Sequence, residues 1–98
     1  MDSVSLHEMN IEINILGTED ALNTWTLGSA TVNGKTYKIQ MVRFDEPSQY
    51  GIRLGRISKL WVAEAGNEPV INFDRGWDVR PKAAEAKALL TAITKKFN

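Results

Sequence analysis

The stretch Gly55–Asp78, GRISKLWVAEAGNEPVINFDRGWD, decides how this chain is read. It holds two β-prone runs separated by Ala65-Gly66-Asn67, a turn-forming triplet that reverses the chain. Ile57, Leu60, Trp61 and Val62 form the first run, with a parity that a single buried face does not explain. Val70, Ile71 and Phe73 form the second, with Pro69 just before it, where a missing N–H is tolerated. Upstream, Ile52 and Leu54 alternate and extend the first run backwards, with Gly55 as an interruption.

Working toward the N-terminus, Trp25–Val32 and Lys35–Phe44 flank Asn33-Gly34. Both positions of that dipeptide accept positive φ, so it favours the type I′ turn of a two-residue hairpin. Tyr37, Ile39 and Met41 alternate with Thr36, Lys38 and Gln40, which gives one buried and one wet face. In the first arm Trp25 and Leu27 share a face, Ala30 and Val32 the other, and Gly28 suggests a bulge between them. The segment DEPSQYG, Asp45–Gly51, reads as loop. Further back, Ile11, Ile13 and Ile15 alternate with Glu12 and Asn14 as a strand over 11–16 would. Residues 1–10 have weak periodicity, and TEDALN at 18–23 reads as a loop or single turn.

Toward the C-terminus, Ala86, Leu89, Leu90, Ile93 and Phe97 form an i, i+3, i+4, i+7, i+11 apolar stripe. Pro81 suits the first helical position, Glu85 sits near the positive end, and Lys95 and Lys96 sit near the negative end. Glu85 is expected to meet Lys82. The fold class that results is α+β. An antiparallel four-stranded β-meander, with a fifth strand if the N-terminal run joins it, packs against one C-terminal α-helix. The helix is expected on the face carrying Tyr37, Ile39, Met41, Ile71 and Phe73. Residues 1–23 form an N-terminal extension and residues 24–98 a single domain.

Composition narrows the function classes. The 98 residues carry 12 basic and 12 acidic side chains, so no global field draws the chain to nucleic acid or anionic lipid. There is no cysteine, which excludes disulfides, thiolate zinc sites and cysteine nucleophiles. No apolar run reaches the length of a membrane span, and the acidic N-terminus is unlike a signal peptide. The expectation is a soluble, cytoplasmic protein.

Three strings carry a family resemblance: FDEPSQYGI at Phe44–Ile52, GRISKLWV at Gly55–Val62, and NFDRGWD at Asn72–Asp78. With the hairpin and the terminal helix, the chain from Thr24 to Asn98 resembles a group of small bacteriophage and prophage proteins of unknown function. The resemblance implies a compact sheet-plus-helix domain working inside an infected bacterium. It implies no activity.

The residues themselves suggest surfaces, not a catalytic centre. Asp45, Glu46, Asp74 and Asp78 lack the spacing of a cation loop, and His7 is the only histidine, so neither a metal site nor an enzyme is expected. No cofactor is implied. Tyr50, Arg56, Trp61, Arg75 and Trp77 are candidate partner-binding residues, because tryptophan, tyrosine and arginine dominate interface hot spots. The partner would be a protein, for a phage-type chain a host regulatory or defence factor, and self-association stays open. The competing structural reading makes Trp77 a plug over the core, with Asp74 or Asp78 capping the helix. The alternative function is single-stranded nucleic-acid binding by a basic strip of Lys38, Arg43, Arg53 and Lys59, with Tyr50 or Trp61 for stacking. Its structural counterpart is a solvated, charge-protected sheet face. Val42, Phe44, Ile57 and Trp61 are left over, either covered by the N-terminal segment or exposed to a partner.

Overall fold

The computed structural model describes residues 11–18 and 25–98. The expectations for residues 1–10, including His7, and for the TEDALN turn concern positions largely outside that range. Six strands run in sequence order through one antiparallel sheet: β1 (Ile11–Thr18), β2 (Thr26–Val32), β3 (Lys35–Arg43), β4 (Ile57–Glu64), β5 (Ile71–Asp74) and β6 (Trp77–Val79). A single helix, α1 (Ala84–Phe97), follows. The α+β class and meander order hold, but the sheet has six strands where four or five were expected.

The Asn33-Gly34 turn fixes the centre of the sheet. Its residues have φ of 49° and 85°, the pair of positive values a type I′ turn requires. It sets β2 against β3 in unbroken register from Thr26↔Met41 to Val32↔Lys35. No bulge occurs in this pair at Gly28, because Leu27 and Ala30 already lie on opposite faces by simple alternation. The irregularities fall elsewhere. Leu16 bulges out of β1, and Ser58 is the extra residue between Val42↔Lys59 and Arg43↔Ile57. That second bulge explains the parity of the first run: Leu60 and Val62 face the helix, Trp61 faces away, and Ile57 is returned to the core at 0% exposure.

The expected strand start at Ile52 is overturned. Ile52–Leu54 is a 3-10 turn in which Arg53 (φ 53°) and Leu54 (φ 60°) adopt left-handed backbone. Each such non-glycine residue costs about 1–2 kcal/mol, so the surroundings must hold it. They do so through polar pins. Phe44 N–H donates to Arg56 O (2.7 Å) and Ser48 N–H to Gly55 O (3.0 Å). The Asn98 side chain accepts from Ile57 N–H (3.1 Å) and donates to Ile52 O (3.0 Å). The β3–β4 connection is thereby tied to the end of α1.

β6 was not expected at all. Asp74-Arg75-Gly76 reverses the chain, with Arg75 at φ 55°, and sets Trp77 opposite Phe73. The two rings meet edge to face, centroids 5.1 Å apart. The helix begins at Ala84 rather than Pro81, and its N-cap, Ala83, makes no side-chain cap. Asp74 and Asp78 are exposed in and beside the turn, so neither caps the helix.

The core lies between α1 and one sheet face, as expected. Leu89, Leu90, Ile93 and Phe97 pack against Tyr37, Ile39, Met41, Leu60, Val62, Ile71 and Phe73, with Ile11 and Ile13 at the margin. β1 lies beside β2 at the sheet edge and does not cross the opposite face. Glu85 pairs with Lys35 at 3.1 Å, not with the expected Lys82.

That corner sets a pH dependence. Burial, then the carboxylates of Glu85 and Glu64, raise the Tyr37 pKa, with Lys35 opposing. The hydrogen bond to Glu85, then its charge, raises that of Lys35. Both groups hold their protons more tightly folded than unfolded. Their contribution is therefore present below the unfolded pKa values, about 10, and is lost as pH rises through the folded ones. Thermal midpoints are expected to fall above pH ~10, less steeply in Tyr37→Phe. Identical alkaline slopes for the two proteins would contradict this.

Candidate functional site

With α1 on one side, the other face of the sheet is uncovered among the described residues. Register assigns its side chains. Leu27↔Gln40, Gln40↔Trp61 and Trp61↔Asn72 form one row across four strands. Val42↔Lys59 and Lys59↔Asp74 form the next. Trp25 precedes β2 at the end of that second row. Its indole lies under the Lys59 ammonium, with Nζ 5.8 Å from the ring centroid.

Two shallow hollows result. One of about 190 Å³ is lined by Trp25, Gln40, Lys59, Trp61, Asn72 and Asp74 together with parts of Leu60 and Phe73. The other, about 240 Å³, is lined by Leu16, Leu27, Gly28, Lys38, Ile39 and Gln40. Gln40 belongs to both, so they form one trough. Trp25, Leu27 and Trp61 are half-buried and Lys38 and Asp74 are exposed, so the trough offers indole, aliphatic, amide, ammonium and carboxylate groups together. Gly28 is small for a local reason: a Cβ there would meet Asn14 O at 2.9 Å.

The predicted site residues do not converge on one place. Lys38, Lys59 and Trp61 share the trough. Arg43 leaves it, its guanidinium 5.4 Å from the Phe97 ring centroid at the end of α1. Arg53 donates to Thr94 Oγ1 at 3.2 Å on the helix side. The proposed four-residue basic strip is therefore split in two. Arg56 is a loop staple, its Nε donating to Phe44 O at 3.0 Å. Tyr50 is exposed on the β3–β4 loop, and Arg75 is exposed in the β5–β6 turn. Trp77 lies on the helix side, half-buried and packed on the core against Phe73. Trp25 was missed as a site residue, although its parity with Leu27 was visible. Of the four left-over apolar residues, Ile57 is core, Val42 and Trp61 lie on the sheet face away from α1, and Phe44 is half-buried at the start of the β3–β4 connection.

Among the described residues, no group of three or more His, Asp or Glu side chains could hold a metal ion. No helix among them is long and apolar enough to cross a membrane.

A family model described as "Domain of unknown function (DUF7678)" matches residues 24–98. The chain belongs to this family. The matched span contains β2 to β6 and α1, hence the whole core layer except the margin that β1 supplies. No curated protein and no solved structure matches the chain.

Proposed function

We propose that this DUF7678 protein is a non-catalytic binding module that takes single-stranded nucleic acid on the sheet face opposite α1. The observation that carries the reading is the trough that Trp25 and Trp61 line together with Gln40, Lys59 and Asn72. Sheet-based readers of single strands stack unpaired bases on aromatic side chains and use basic groups for the phosphates. Here the indoles supply the stacking surfaces, Lys38 and Lys59 the charge, and the two amides the hydrogen bonds to base edges. Zero net charge argues for weak, salt-sensitive binding, because only these local ammonium groups release counterions.

The test is a titration of the full chain with unphosphorylated oligo-dT at low salt. Trp61→Ala is expected to weaken binding roughly 5- to 150-fold, the equivalent of one stacked base. Lys59→Gln is expected to reduce the salt slope by about one. Circular dichroism of each variant checks that the fold is kept. If the wild-type chain shows no binding at low salt, the reading fails.

A second reading, docking on a protein, is favoured by a different observation. β1 is an edge strand whose Ile15 (46%) and Leu16 (71%) are exposed. An extended segment of a partner could add a strand there, with backbone bonds for affinity and these side chains for grip. The phage-type resemblance makes a bacterial host factor the natural partner and the bacterial cytoplasm the natural compartment. The test purifies the chain and an Ile15→Lys/Leu16→Lys variant side by side from such a host. A protein retained by the first and lost by the second supports this reading, and identical retention sinks it.

A further inference from the structure

On the helix side of the molecule, away from the trough, a larger cavity of about 400 Å³ opens between the 3-10 turn, β6 and α1. Its floor is apolar: Ile52 is 2% exposed and Leu90 5% exposed. Its basic groups come from three different elements, Arg53 from the 3-10 turn, Arg80 from the segment after β6, and Lys87 from the first half of α1. No carboxylate lines it, and none among the described residues pairs with any of the three cations.

Two of the cations are held in place. Arg53 has left-handed backbone, a conformation with a steric cost for any side chain, and its Nη1 donates to Thr94 Oγ1 at 3.2 Å. That hydroxyl in turn donates to Thr91 O at 3.1 Å. Arg80 lies over the Trp77 indole, with Cζ 5.3 Å from the ring centroid. A guanidinium against an aromatic face keeps its in-plane N–H donors free for a ligand and loses less freedom on binding.

We propose that this cleft binds a phosphate monoester, with the phosphate held by Arg53, Arg80 and Lys87 and the organic group lying on Ile52 and Leu90. The chemistry selects the ligand. A phosphate monoester carries between one and two negative charges and presents oxygens to several donors at once, which two planar forks and an ammonium match. A carboxylate brings one charge for three cations. The volume is that of a small-molecule site, and bare phosphate would leave the apolar floor unused. A nucleoside monophosphate has both parts, free in solution or as the 5′ end of a strand.

The experiment is calorimetric titration of the full chain with AMP, adenosine, inorganic phosphate and 5′-phosphorylated oligo-dT. AMP is expected to bind at least tenfold more tightly than adenosine and more tightly than phosphate. Lys87→Gln and Arg80→Gln are each expected to weaken AMP severalfold, Arg80→Lys to weaken it less than Arg80→Gln, and Lys95→Gln on the exposed last turn to leave it unchanged. A 5′-phosphorylated oligomer that binds more tightly than AMP and than the same oligomer without its 5′ phosphate identifies a strand end as the source, and a 5′ phosphate that adds no affinity to the oligomer identifies the free nucleotide. AMP binding no tighter than adenosine or phosphate, or undiminished in the Arg80→Gln/Lys87→Gln protein, overturns the assignment. Trough binding is measured with unphosphorylated oligomers and Trp61→Ala, so either proposal can fail without the other.

Discussion

Gly51→Ala is expected to destabilise the protein by about 3 kcal/mol, a large loss for a single added methyl group. Torsion is not the reason, since Gly51 has φ −87°, a value open to any residue. Space is. A Cβ at this position would overlap the Gly55 carbonyl oxygen, reach the carbonyl carbon at 2.8 Å and the Ile57 oxygen at 3.3 Å. All three are backbone atoms, which cannot rotate away as a side-chain end can. The Gly55 oxygen is also the acceptor for Ser48 N–H, and Gly55 N–H donates to Ile52 O. Moving it would break the loop's own bonds and disturb the Asn98 clamp on Ile52 and Ile57. At roughly 4–8 °C per kcal/mol for a domain of this size, the thermal midpoint should fall by more than ten degrees. Gly76→Ala is the control, because nothing lies within 4 Å of its added Cβ and its φ is not positive. A Gly51→Ala midpoint within a degree or two of the control would mean the loop is looser than its hydrogen bonds imply.

That loop also marks where the sequence stopped being legible. Asn33-Gly34 is a complete instruction: a two-residue turn makes paired positions add to a constant, so Leu27↔Gln40 and the neighbourhood of Trp25 and Val42 follow from it. The helix stripe at Ala86, Leu89, Leu90, Ile93 and Phe97 is equally direct, and every one of those residues is buried. The β3–β4 connection carries no such rule. Ile52 and Leu54 alternate like a strand, yet their backbone is set by contacts with Thr94 and Asn98, more than 40 positions away in sequence. The Ser58 bulge is fixed similarly, by its hydroxyl on Val42 O and by Arg75 N–H on its own carbonyl. β6 is only Trp77–Val79, too short to show a period, and its signal was the DRG turn that precedes it. The sites inherit these limits. Lys38, Lys59 and Trp61 fall together because strand parity governs them, whereas Arg53 and Arg80 meet in a cleft that depends on the illegible loop and on the path from β6 to α1.

Leu89→Ala is expected to cost about 3–5 kcal/mol, the loss typical of a leucine truncated in a tightly packed core. Leu89 is completely buried at the middle of the stripe, with Ala86 and Ile93 one turn away on either side. Removing its methyl groups forfeits the transfer term, about 1.5–3 kcal/mol for a fully buried leucine, and leaves a void that the sheet cannot fill. The strand positions facing α1 are themselves fixed by paired register, with Ile39↔Val62 and Val62↔Ile71 locked side by side. Against a typical domain stability of about 5–15 kcal/mol, the substitution removes roughly a fifth at the least and most of it at the lower end of that range. The same helix offers an internal comparison. Its ion pair among the described residues, Glu85 with Lys35, involves a lysine side chain that is 51% exposed, where water screens the attraction and side-chain ordering offsets it. Lys35→Ala should therefore leave the urea midpoint where it is, while Leu89→Ala shifts it far to lower denaturant with an unchanged slope. If the two variants lost comparable stability, the helix would be held to the sheet by its charged N-terminal corner. If Leu89→Ala alone is severe, the apolar stripe holds the layer together, and the cationic cleft beside Leu90 rests on that same packing.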